Sequence, residues 1–264
     1  MKKTISVFMV IGMILFSSFA WAQSETKPEE YTWEVGPEIS SIEYKEPGVM
    51  KEKGVMYGIN ASYTYHRDLM FKVEARYSYG QVDYENSGII NNIDNSIFEM
   101  RFLAGYDFST TGSSVITPYI GFGYRWLYDD MGGRISSTGA SGYDRESQYY
   151  YSPIGIETYT EIGNSWSWGM TAEFDYFWGG KQKSYLSDVD STLYSDAENT
   201  QNNGYGLRGS VRFQKKGENI DYKIEPFVRY WNIDKSELDY VTYNGTPNTA
   251  VYEPDNESTE IGII

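Results

Sequence analysis

The chain has 264 residues, with 37 acidic side chains against 22 Lys and Arg, one His and no Cys. A net charge of −15 leaves no basic face for nucleic acid, and the lack of Cys excludes disulfides, thiolate metal sites and a lipid-bearing cysteine. A mean hydropathy of −0.53, with no apolar stretch of the ~20 residues a spanning helix needs, excludes a bundle of membrane helices.

The first element in chain order is a secretion signal. Lys2 and Lys3 precede the apolar run Ile5–Phe16, and Ala20-Trp21-Ala22 forms a small-residue cleavage site. Residues 1–22 are therefore expected to be a signal peptide, with a single barrel domain over 23–264. An apolar run of about 12 residues is too short to cross a bilayer as a helix.

Period-2 alternation then recurs ten times, at 31–46, 54–66, 69–84, 95–108, 115–129, 149–162, 166–178, 204–215, 219–233 and 257–264. The clearest case is Trp166–Trp178. Trp166, Trp168, Met170, Ala172, Phe174, Tyr176 and Trp178 alternate with smaller or polar residues, apart from Phe177. Aromatics stand at both ends of that stripe with Met170 and Ala172 between, which is the order a bilayer imposes on a lipid-facing strand. With 26 Tyr, 7 Trp and 26 Gly, the chain can supply two aromatic girdles and keep small residues inside.

The connections alternate in length. Segments 66–68, 109–114, 163–165 and 216–218 are short, whereas 47–53, 85–94, 130–148, 179–203 and 234–256 are mostly longer and polar. Short periplasmic turns and long external loops alternate this way in bacterial barrels. The expected fold is all-β: a transmembrane, antiparallel, up-and-down barrel of ten strands with both termini in the periplasm. The last strand is expected to be cut short. Ser258–Ile264 offers only Thr259, Ile261 and Ile263 outward, against about 9–11 residues for a membrane strand, so poor closure is expected.

The same alternation lines the lumen with Glu34, Glu38, Lys72, Glu74, Arg76, Glu99, Arg101, Asp107, Arg125, Glu157, Glu161, Glu173, Asp175, Arg208, Arg212, Lys223, Glu225 and Arg229. Unpaired charge is costly in a narrow interior, so these opposite signs are expected to pair and hold the barrel rigid. A narrow, charge-lined conducting path is the other reading of the same list.

No catalytic, cofactor-binding or metal-binding residue is expected. The one His, His66, falls at the first periplasmic turn, where it reads as an exposed turn residue. Glu173 and Asp175 share the inward face, but acidic neighbours of this kind are common in lumens. The acidic run Ser187–Thr192 with Asp196 and Glu198 lacks the Gly and Glu spacing of a hand-type calcium loop and reads as solvated.

Thr117-Pro-Tyr-Ile-Gly-Phe-Gly-Tyr-Arg-Trp126, with Gly inward and aromatics outward, resembles the central strands of small bacterial outer-membrane β-barrels of eight to ten strands. The resemblance covers nearly all of the chain after the signal segment. Omptin proteases are similar in strand count only, and no catalytic residue carries over from them. The resemblance implies outer-membrane lipid, lipopolysaccharide and the barrel assembly machinery as partners. The expected function is non-enzymatic: a structural or surface-interaction role, with an extracellular ligand meeting the loops at 130–148, 179–203 and 234–256. The alternatives are a narrow porin-like channel and a hydrolase working at the outer rim.

Overall fold

The computed structural model describes residues 28–110 and 113–264, so the expected signal peptide over 1–22 and two residues of the second short turn lie outside it. Ten long strands follow one another: β1 Tyr31–Glu46, β2 Met50–His66, β3 Leu69–Asn86, β4 Gly88–Tyr106, β5 Ser114–Asp130, β6 Arg145–Gly163, β7 Trp166–Ser184, β8 Gly204–Lys215, β9 Pro226–Ile233 and β10 Asn256–Ile263. Each pairs antiparallel with the next, and β10 pairs back onto β1. The result is a closed ten-strand barrel, as the alternation predicts.

The two faces sort as a membrane barrel requires. Along β3, Leu69, Phe71, Tyr77 and Tyr79 are exposed outward, while Met70, Lys72, Arg76 and Ser78 are buried in the lumen. The tight turn Asn164-Ser165 takes left-handed backbone at both positions (φ 53° and 64°), the geometry that matches the twist of two-residue hairpins. Inside, a Cβ on Gly123 would overlap the Tyr151 ring, so only glycine lets that ring cross the lumen.

Two regions differ from the sequence reading. Segment 85–94 is not a loop: β3 runs to Asn86 and β4 starts at Gly88, leaving Ser87 between them. A register shift between Val82 and Tyr84 breaks the period, so the inward isoleucines Ile90 and Ile93 are three apart. Likewise 145–148 and 179–184 are strand, and the loops expected there are shorter. Above the bilayer the outward face meets water and the buried inward face is itself partly polar, as at Ser147, Gln182 and Ser184, so the apolar-polar alternation that reveals a strand is lost there.

The last strand closes the ring, contrary to the expectation of poor closure. Its eight residues pair with β9 from Ile233 to Pro226, and seven of them, Glu257–Ile263, with β1 from Lys45 to Ile39. The short length shows lower down. Among the described residues, Tyr31–Glu38 of β1 pairs with β2 alone, and a groove of about 970 Å³ runs between Trp33 and Val35 on one rim and Tyr222 and Ile224 on the other.

Candidate ligand site at the outer mouth

The lumen is built in three layers. The lowest is ionic. Arg76 lies between Glu38 (3.0 Å), Glu99 (2.8 Å) and Glu260 (2.9 Å). Arg229 adds a second cation to Glu38 at 2.9 Å and Glu260 at 3.3 Å. Arg208 joins Glu99, Glu173 and Asp175, and Arg101 joins Glu74 and Glu173. Further down, Lys72 meets Glu157 at 2.5 Å, and Arg212 and Lys223 meet Glu34 and Glu225. The expected pairing of opposite signs is thus observed for nearly the whole set read from the alternation.

Above this network the lumen is apolar. Ile42, Met56, Val82, Ile97, Tyr149, Phe177 and Trp231 pack into one cluster. Trp231 stacks edge-on against Tyr151 with ring centres 4.9 Å apart, and Arg125 lies 5.5 Å over the Trp231 ring. Tyr151 reaches down to donate to Glu99 at 2.5 Å, tying the apolar layer to the ionic one. A ten-strand barrel is narrow enough for side chains to fill in this way.

The third layer sits at the outer mouth, where a cavity of about 380 Å³ opens. Its walls include Met50, Ile90, Met131, Leu186, Val251 and Pro254, and its floor holds Glu46, Arg145 and Glu253. Arg145 donates to Glu46 at 2.6 Å, to Glu253 at 2.7 Å and to the Tyr44 hydroxyl at 3.0 Å. Burial and the facing Glu46 push the Glu253 carboxyl up to about 7, against the pull of Arg145. The volume falls in the range of small-molecule pockets.

All three loops predicted to carry a ligand surface line this cavity, through Gly142 and Tyr143, Leu186 and Asn199, and Tyr252. They are tied together and to the barrel. The Asp144 backbone N–H donates to Asp188 at 3.1 Å, and Asn199 donates to the Val251 carbonyl at 3.3 Å. Ser136 donates to the Ser87 carbonyl at 2.8 Å. The mouth cavity shares no lining residue with the two polar cavities of about 70 and 80 Å³ in the lower lumen.

His66 is not an exposed turn residue: its ring is mostly buried, with Nδ1 2.8 Å from Asp107, which also accepts from Thr117 at 2.7 Å. Glu173 and Asp175 lie deep in the ionic layer, where Arg101, Arg208 and Tyr119 bond them. In the acidic loop, Asp190 accepts from Thr192 and Asp196 accepts from Ser187.

The mouth residues Glu46, Glu52, Asp129, Arg145 and Glu253 escaped the sequence reading. Glu52, Arg145 and Glu253 lay in segments read as loop, and Glu46 and Asp129 close strands at their outer ends. Glu260 was missed because the last strand looked too short to contribute. Its inward parity, opposite to Thr259 and Ile261, was the available signal.

A closed antiparallel barrel with an aromatic outer face and a charged lumen defines a bacterial outer-membrane barrel. The family model for the outer membrane protein beta-barrel domain matches residues 8–143. The chain belongs to that family, and its place is the outer membrane. No curated protein matches it. Similar solved structures include a TodX deltaS2S3 mutant monoaromatic hydrocarbon channel, at 9% identity over 90% of this chain and 89% of that one, with a TM-score of 0.34. The P. putida toluene transporter TodX is similar at 9% identity over 90% of this chain and 88% of that one, with a TM-score of 0.30. Likenesses this loose carry no argument about activity.

Proposed function

We propose that the protein is a non-enzymatic surface-interaction barrel that holds a small, partly apolar ligand in its outer mouth. The observation that carries this reading is the convergence of the three longest loops on one cavity of about 380 Å³. Below the cavity, the apolar layer around Trp231 and Tyr151 and the ionic layer around Arg76 fill the lumen. A site that opens outward over such a lumen suits capture from the outside better than passage.

The test uses refolded protein in lipid nanodiscs and a panel of phenylbutyl compounds that differ only in a neutral, anionic or cationic head group. At least one is expected to slow hydrogen exchange in the loops at 131–144, 185–196 and 234–255. If none does, the reading is wrong. Reproducible unitary steps in a planar bilayer would favour the channel alternative instead. Protease and lipase assays on the same preparation are expected to stay at the level of a loop-deleted control. Activity above that control would favour the hydrolase.

A further inference from the structure

The floor of the mouth cavity is electrically unbalanced. Glu46 and Glu253 both bond Arg145. Glu52 of β2 and Asp129 of β5 do not line the cavity but lie close enough to act electrostatically on each other and on Arg145. One guanidinium therefore faces four carboxylates. Glu52 is 2% exposed, and its Oε1 makes no hydrogen bond within the protein. Buried carboxylate oxygens without donors are costly, so the layer is short of positive charge or of donors.

The roof repeats the imbalance. Apart from Arg145 and Glu253 of the floor, segments 130–145, 184–203 and 234–256 carry ten carboxylates against two cationic side chains, a net of −8. Between floor and roof, the rings of Tyr84, Tyr143 and Tyr252 line the cavity beside its aliphatic walls. Aromatic faces next to carboxylates are the chemistry that selects ammonium groups.

We infer that the ligand of the mouth cavity is a small organic cation, an ammonium or guanidinium group on an apolar body. The inference rests on the mouth-cavity reading above and narrows it to one ligand class. The cationic head sits on the cavity side of Glu46 and Glu253, whose facing oxygens Arg145 already bridges, with the tyrosine rings around it. The apolar body lies against Ile90, Met131 and Val251.

The experiment compares 4-phenylbutylamine, 4-phenylbutan-1-ol and 4-phenylbutyrate by titration calorimetry, on protein in zwitterionic nanodiscs with empty nanodiscs subtracted. The amine is expected to bind at least about tenfold more tightly than the alcohol, and the carboxylate most weakly. Glu253→Gln, checked for folding by its unchanged gel shift on boiling, is expected to cost the amine about tenfold and leave the alcohol unchanged. Glu46→Gln serves as a second variant, scored the same way. Equal or tighter binding of the alcohol or the carboxylate overturns the inference while the cavity reading stands. Equal weakening of all three compounds by both variants also overturns it. Binding of none of them removes the cavity reading as well.

Discussion

The lower lumen and the outer mouth are both rich in buried charge, yet they are built differently. Among the described residues, nine carboxylates from Glu34 to Glu260 face eight cations in the lower lumen, and nearly all make more than one contact. At the mouth, four carboxylates face Arg145 alone. Balanced charge cross-links strands far apart in sequence, as Arg76 links β1, β3, β4 and β10. Unbalanced charge beside a cavity leaves binding capacity unspent. The apolar layer separates the two regions in space.

The largest effect should come from the balanced region. Arg76→Met strands Glu38, Glu99 and Glu260 with fewer partners, and breaking a buried pair costs about 3–5 kcal/mol. Urea unfolding followed by the gel shift should show it, and an unchanged midpoint would mean the network is not structural. Trp231→Ala should cost about 3 kcal/mol by cavity formation, without opening a conducting path, because the ionic layer still fills the lumen beneath it. Unitary currents in that variant would show that the apolar layer, and not the ion pairs, is the seal.

The mouth should respond to pH through Glu253. Because the Glu253 pKa is raised in the fold, the native mouth holds a proton that the unfolded chain releases. That contribution is complete below the ordinary carboxylate range and is lost as pH rises toward about 7. Loop 234–255 should therefore exchange hydrogen faster at pH 8 than at pH 5, beyond the intrinsic rate change. Glu253→Gln should flatten the difference, and a difference that survives the substitution has another cause. The smallest effect is expected at Lys181–Glu198, a pair on the outer surface with both side chains more than half exposed. Lys181→Ala should leave the unfolding midpoint where it is.

The sequence was legible wherever a strand separates lipid from lumen. In Trp166–Trp178 and Thr117–Trp126 one face must be apolar and the other small or charged, so parity alone assigned strand, face and most of the ion-paired side chains. Parity failed above the bilayer, at 85–94, where a bulge shifts the register, and at 179–184, where polar residues stand on both faces. It also failed for Glu253 and Arg145, whose meeting joins residues 108 apart in the chain. By itself the sequence determined a ten-strand outer-membrane barrel with a charged interior, because the bilayer writes its two solvents into every second residue. Only the tertiary structure decided which charges pair, that β10 closes the ring through Glu260, and that three loops enclose one acidic cavity. Those depend on register and loop packing, and no local pattern encodes either.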